Sequence, residues 1–348
     1  MADVEDYGTL HTADILVVGG GMSGLVTAIR AKENDPSLDI LVVDKGVIGW
    51  NGQATKAGNG IRATSKHPNG VQHALAYLVN AHTPFLNDQE FLRDYLVVHR
   101  DNLDYMRHCG VITSCDDDGK AAPLPFIPDA LDMGGVSLDV CKQLRDFALK
   151  LGIRLMSRVN VFELLTSASK KVIGAIGFDA DHMECMVFHA KAVAMATQGC
   201  HFKKIGLEFM GYGTGVGAMY RVGAIMRNVE FSTQVDVVFK KTNTPIYGGF
   251  NMIRNKHGEN LTQKYIGHLE WEVTPALVDA MVKEVALGNG PLWVDLEKPD
   301  EVREMIGGTD MDESTQRMFR DKLAWEELVF KKTAMNLGDI GTKPETTI

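Results

Sequence analysis

The sequence predicts an α/β fold over roughly its first two thirds, with a small β-meander set into it and a second, mixed domain of helices and short strands behind. Three observations lead there. Within the first fifty residues a short branched run passes through a glycine-rich turn and a helix to a second branched run. Three strand-like stretches with short connections lie between residues 154 and 195. After Phe231 the composition changes, and segments such as Trp271-Glu272, Trp293-Val294-Asp295 and Trp325-Glu326-Glu327 take over. A chain of 348 residues is long enough for about two domains, and the boundary is expected at 232/233.

The first run, Asp14-Ile15-Leu16-Val17-Val18, reads as a buried parallel strand. It continues into Gly19-Gly20-Gly21-Met22-Ser23-Gly24, a G-x-G-x-x-G turn, and Leu25 to Lys32 has helical composition. A second strand, Asp39 to Val43, ends on Asp44, 20 residues after Gly24. Strand, glycines, helix, strand and acid in this register form the pattern of a dinucleotide-binding unit. Gly19 permits the tight turn, Gly21 lets a pyrophosphate approach the backbone, and Gly24 lets helix pack on strand. The helix N-terminus offers unpaired N–H groups and partial positive charge to the phosphates. Asp44 is placed to accept a hydrogen bond from an adenosine ribose. The loop that follows, Trp50 to Arg62, is long, glycine-dotted and low in side-chain bulk, which suits close backbone approach to a long, flat cofactor.

Residues 87–109 read as one or two helices, 116–136 as a polar, Pro- and Gly-rich excursion, and Leu138 to Leu151 as an amphipathic helix capped by Ser137 and closed by Gly152. The three strand-like stretches are Arg154 to Leu165, Lys171 to Phe178 and Met186 to Met195. The last ends on Ala196-Thr197-Gln198-Gly199, a strand entering another glycine turn. The tract from Gly211 to Gly217 opens a helix that includes Ala218, Met219, Val222 and Ala224, and its turn is a second phosphate-facing candidate.

Composition narrows the function. With 36 basic and 45 acidic residues the net charge is −9, which argues against nucleic acid or an anionic membrane as the main partner. No apolar run reaches the length of a membrane-spanning helix, and the acidic Met1 to Leu10 stretch does not read as a signal peptide. The five cysteines, at 109, 115, 141, 185 and 200, contain no C-x-x-C pair. This fits neither a disulfide framework nor an iron–sulfur site, and a cytoplasmic setting is expected.

Together the segments DILVVGGGMSG, DKG, GNGIRA, ATQG and TGVGAMYRVGAIMRNVEF resemble the flavoprotein subunits of the succinate dehydrogenase, fumarate reductase and adenylylsulfate reductase superfamily. VNVFELL, GAIGFDA, VFHAKAVAMATQG and NGPLWVDL are similar to the adenylylsulfate reductase α-subunit branch. The resemblance implies a glutathione-reductase-like FAD-binding Rossmann domain over 1–232 and a partial α+β capping domain over 233–348. It implies FAD contacts at Gly19, Gly21, Met22, Ser23, Gly24, Asp44, Lys45, Asn51, Gly52, Gln53, Ala57, Gly58, Asn59, Gly60, Val159, Thr197 and Gly199. Gln53 stands where the dehydrogenase types carry a flavin-linking histidine, so a noncovalent flavin is expected. Val216 replaces the acid of the family's T-G-D-G, and the family's C-terminal return to the FAD domain is expected to be missing from these 348 residues or supplied by a second polypeptide.

The substrate positions depart further. Arg62 replaces an Asn of the adenylylsulfate branch, Val136 a Glu, Leu277 an Arg, and a cap Arg is replaced near Lys240 or Lys241. These changes imply a small anionic substrate other than adenylylsulfate, with Arg62, Lys240 and Lys241 as the catalytic candidates. Arg254, His257, His268 and His201 are secondary ones. The implied activity is that of an FAD-dependent oxidoreductase served by an external iron–sulfur or ferredoxin-like partner. An adenylylsulfate reductase α subunit proper, a fumarate-reductase-like reductase of unsaturated acids, and a non-catalytic flavin-binding component are the alternatives.

Overall fold

The computed structural model describes residues 7–55, 60–82, 85–113, 124–199, 212–227, 238–239, 244–245, 250–267, 274–294 and 346–347. In chain order the principal elements are β1 (Thr9–Val18), α1 (Met22–Asn34), β2 (Ile40–Asp44), β3 (Gly60–Thr64), α2 (Gly70–Tyr77), α3 (Gln89–His99), α4 (Asn102–His108), β4 (Leu124–Ile127) and β5 (Leu131–Gly135). Then come α5 (Val140–Lys150), β6 (Arg154–Ser157), β7 (Val159–Thr166), β8 (Val172–Asp179), β9 (Glu184–Met195) and α6 (Thr214–Arg221). Beyond residue 233 the longer described elements are α7 (Leu261–Tyr265) and α8 (Pro275–Ala286), among two-residue strands. The chain forms two compact units. One holds 1–61, 101–123 and 133–233, and the other holds 62–100, 124–132 and 234–348.

The first unit is built on a six-stranded sheet of order β6-β2-β1-β9-β8-β7. β6, β2, β1 and β9 run parallel, while β9, β8 and β7 form an antiparallel meander. The predicted meander is therefore continuous with the parallel sheet, through β9. Alternate residues of β1 and β2 enter opposite cores because a strand has a period of two. Val17, Ile40 and Val42 pack with α1 and α5 through Leu25, Ala28, Ile29, Val140, Leu144 and Ala148. Leu16, Val18, Leu41 and Val43 pack on the other side with Val159, Phe188, Ala190 and Ala218. Burial on both faces is why these strands read as unbroken apolar runs.

Several boundaries differ from the sequence reading. β1 begins at Thr9 rather than Asp14, because the mixed stretch Thr9 to Ala13 pairs with Met186 to Ala190 of β9. α1 begins at Met22, three residues before the expected start at Leu25. The stretch read as one strand from Arg154 splits at Arg158, whose φ is +63°. The Arg158 amide donates to Gly46 O (2.9 Å) and its carbonyl accepts from Ala180 N (3.0 Å), so β6 pairs with β2 and β7 turns to β8. α5 starts at Val140, with Asp139 at the N-cap. Ser137 Oγ accepts from Asp139 N (3.1 Å) instead of capping the helix. At its end the amides of Gly152 and Ile153 donate to Leu149 O and Ala148 O, a Schellman closure that requires the +78° φ of Gly152. The excursion expected over 116–136 carries β4 and β5, in a three-stranded sheet of order β3-β5-β4. Val222 and Ala224 lie beyond the end of α6.

The helical stretch at 87–109 is two helices, parted at Arg100 and Asp101. α2 was not anticipated; its eight residues are too few to show a period. In the second unit α2 and α3 enclose Val71, Ala74, Leu96, Ile127, Ala130 and Leu131. A separate knot joins α7 and α8. Thr274 Oγ1 accepts from Leu277 N (3.3 Å) to cap α8, whose first residue is Pro275. Fully buried Glu284 accepts from Asn255 Nδ2 (2.8 Å), Lys264 Nζ (2.9 Å) and the Tyr265 hydroxyl. Burial alone would raise the Glu284 pKa, but these donors outweigh it and hold it at about 2.

Candidate functional site

The parallel strand order places β2 on one side of β1 and β9 on the other, so the chain leaves β1 at a topological switch point. In open α/β sheets ligands sit in the crevice outside the carboxyl ends of the strands at such a point. The structure has a cavity of about 690 Å³ there, within the first unit, a size typical of small-molecule and cofactor sites.

The glycine turn forms one wall, and its three key glycines differ physically. Gly19 has φ +113°, and a Cβ on it would lie 2.4 Å from Ala196 O. A Cβ on Gly24 would lie 1.7 Å from Gly19 O, so this residue sets how closely α1 packs on the strand end. A Cβ on Gly21 would meet nothing nearer than Gly52 Cα at 3.8 Å. Gly21 is therefore bare because it faces the cavity, whereas Gly24 is bare because the fold leaves no room. Gly21 is also the N-cap of α1, and among the described residues no side chain caps that helix. Gly19, Gly21, Met22 and Ser23 line the cavity; Gly24 stands behind them.

Asp44, 8% exposed, is the second wall. Its Oδ2 accepts from Gly20 N (2.6 Å), and its Oδ1 accepts from Gly46 N (2.6 Å) and Asn51 Nδ2 (2.5 Å). A carboxylate has about four lone-pair sites, so the tie between turn and loop leaves capacity for about one more donor. Lys45 Nζ lies 5.0 Å from the centre of the Tyr212 ring. Burial, partly countered by the Asp44 charge, lowers the Lys45 pKa from its ordinary value. Asn51, Gly52 and Gln53 continue the lining, and Gln53 Oε1 accepts from Gln198 Nε2 (3.0 Å). Val159 completes the far side, and Thr197 lies on the near one. The Thr197 Oγ1 atom is buried and has no hydrogen-bond partner among the described residues.

Of the seventeen positions expected to hold a dinucleotide, eleven line this cavity: Gly19, Gly21, Met22, Ser23, Asp44, Lys45, Asn51, Gly52, Gln53, Val159 and Thr197. Gly60 in β3 and Gly199 are exposed and are not in the lining. Ala57, Gly58 and Asn59 lie outside the described residues, as do Lys240, Lys241, His201 and His268. Sequence reasoning did not single out Asn160, Val161 or Tyr212, all of which line the cavity. The signal for Tyr212 was a lone aromatic inside the glycine tract.

Arg62 belongs to the second unit. Its charge acts on both Tyr95 and His99: burial raises the Tyr95 pKa and Arg62 only partly offsets that, whereas burial and Arg62 act together on His99. His99 is buried, stacked on Tyr95 with ring centres 4.8 Å apart, and its Nδ1 is 3.4 Å from Thr64 Oγ1. Burial first, and Arg62 second, hold this imidazole below its usual value, which favours its neutral form. Arg254 is buried and donates from Nη1 to Gly258 O (2.9 Å), a loop-closing contact. His257 is paired with Asn289 Oδ1 at 3.3 Å. Leu277, singled out from the sequence as a substrate-site departure, is fully buried in α8. Among the described residues no group of three or more His, Cys, Asp or Glu side chains is placed to hold a metal ion, and no helix is long and apolar enough to cross a membrane.

Comparison with known proteins agrees with this geometry. The FAD binding domain family matches residues 14–234. The 8-methylmenaquinol:fumarate reductase flavoprotein subunit of Wolinella succinogenes is 24% identical over 233 residues, 64% of this chain and 37% of that protein. The fumarate reductase flavoprotein subunit of Mycobacterium tuberculosis is 25% identical over 256 residues, 68% of this chain and 40% of the other. Among solved structures, adenylylsulfate reductase from Archaeoglobus fulgidus superposes with a TM-score of 0.72 at 20% identity, over 98% of this chain and 58% of that one. The chain thus spans about two fifths of the length of these curated relatives.

Proposed function

The chain belongs to the FAD binding domain family, and from that premise we propose that it is the flavin-holding part of an oxidoreductase passing electrons between noncovalent FAD and a small anionic substrate. The observation that carries the proposal is the cavity at the switch point, with the open face of Gly21 and an uncapped α1 N-terminus in its wall. FAD supplies the two-electron chemistry when bound. The residues present fit it. The first-turn amides of α1 face the diphosphate, and Gly21 keeps that approach clear. The spare capacity of the Asp44 carboxylate accepts a ribose hydroxyl. Val159 flanks the adenine. Asn51, Gly52 and Gln53 hold the ribityl side, and the unpaired Thr197 hydroxyl gains a partner. Gln53 carries an amide, which forms no covalent link to a flavin.

On the sequence resemblance, Arg62, Lys240 and Lys241 are the cations for the anionic substrate. The scattered cysteines favour an external iron–sulfur or ferredoxin-like protein as the electron partner. Because two relatives are named for fumarate reduction, short unsaturated dicarboxylates are the first acids to test.

The test is to purify the chain, add FAD, remove the excess and record the visible spectrum. Flavin should be retained and released by denaturation. The chain is then reduced without oxygen and mixed with fumarate-like acids or with adenylylsulfate. Reoxidation by the acids should fall about a hundredfold in Arg62→Leu with flavin retained, the usual scale for removing one charge-stabilising donor. A chain that stays colourless with FAD refutes the proposal.

A further inference from the structure

Tyr212 stands out in the cavity because it is 81% exposed and still belongs to the lining. The chain that follows it is closely held. Gly213, at φ +75°, turns the chain into α6, and Gly215 packs so tightly on Thr197 that a Cβ would lie 2.1 Å from Thr197 Oγ1. The ring is met by Lys45, whose ammonium lies 5.0 Å from the ring centre. Lys45 directly follows Asp44, and Val159 shares the same lining. An exposed aromatic ring, an ammonium and the acid proposed for the ribose are thus gathered at one cavity.

We propose that Tyr212 and Lys45 form an adenosine clamp, in which the Tyr212 ring stacks on the adenine and the Lys45 ammonium faces the diphosphate. This rests on the reading of the cavity as an FAD site and assigns its specificity for the adenosine half to these two side chains. The exchange is favourable. A nucleobase stacked on an aromatic ring is held more strongly than a partly solvated ammonium over the same ring. Burial disfavours the charged form of Lys45, and an arriving anion offsets that effect.

The experiment titrates the full chain with FAD, followed by flavin absorbance, and with ADP as a competitor that has no flavin. Tyr212→Ala should weaken FAD and ADP in parallel by about tenfold, equivalent to about 1.4 kcal/mol. Tyr212→Phe, which keeps the stacking face, should bind as the parent does. Lys45→Gln should weaken both ligands and lessen the dependence of binding on salt. Tyr220→Ala, at an exposed tyrosine of α6 that is not in the lining, controls for disturbance of the helix. Undiminished FAD and ADP binding in Tyr212→Ala would overturn the clamp, as would a loss confined to FAD. A parent chain that binds neither ligand would overturn the FAD reading itself, and the clamp with it.

Discussion

Gly21→Val separates the cofactor from the fold more sharply than any other change in the turn. The backbone at Gly21 has φ −74° and ψ −173°, an ordinary extended conformation open to any residue. Its Cβ meets no atom within 3.8 Å, so the valine side chain projects into the cavity rather than into the core. The folded chain should therefore keep its melting temperature to within a few degrees. The cost falls on the ligand. Displacing a diphosphate from the first turn of α1 removes about two charge-assisted hydrogen bonds, at about 1.5–3 kcal/mol each, together with the favourable field of the helix end. A net loss of about 3–5 kcal/mol corresponds to roughly 150- to 5,000-fold in Kd. Flavin absorbance after gel filtration measures retention, and circular dichroism measures the fold. Equal FAD retention by parent and variant would refute the diphosphate assignment, and joint loss of fold and flavin would refute the account of Gly21 as a cavity-facing residue.

Other outcomes follow from the same geometry. Gly24→Ala puts a methyl 1.7 Å from Gly19 O and must push α1 off the strand end; we expect a loss of about 3 kcal/mol or more, seen in denaturant unfolding with or without flavin. Gln198→Ala deletes the bridge to Gln53 and should loosen FAD about threefold to tenfold without changing the melting temperature of the flavin-free chain. Glu284 has its pKa lowered from 4.5 to about 2, so its contribution to stability is complete above pH 4.5 and is lost as the pH falls through about 2. Melting curves between pH 7 and pH 2.5 should show a smaller acid-induced fall in Glu284→Gln than in the parent. Parallel curves would remove Glu284 from the acid response.

The parts legible in the sequence were those where one residue type answers one physical demand. Gly19, Gly21 and Gly24 showed where a turn, an approach and a packing contact must lie, and Asp44 showed where the second strand ends. Boundaries were less legible where pairing, not propensity, sets them. Nothing in Thr9 to Ala13 signals a strand until β9 lies beside it, and a positive φ at Arg158 has no signature in an arginine. Beside the ligand role expected of it, Asp44 makes three bonds to Gly20, Gly46 and Asn51, which spacing along the chain does not encode. Tyr212 escaped for the same reason, since its relation to Lys45 spans over 160 residues of sequence.

The pairing of β1 with β9 has a consequence for how the protein is made. Thr9 is matched with Met186, roughly 180 residues further along. At about 5–20 residues per second, a ribosome takes on the order of 10–35 seconds to deliver the second neighbour of β1 after the first strand has emerged. For that interval one side of a largely apolar strand offers its backbone groups to any passing chain, the circumstance in which unpaired edges seed aggregation. Slower growth at reduced temperature, or added holdase chaperones, should raise the soluble yield more than changes to the mature surface.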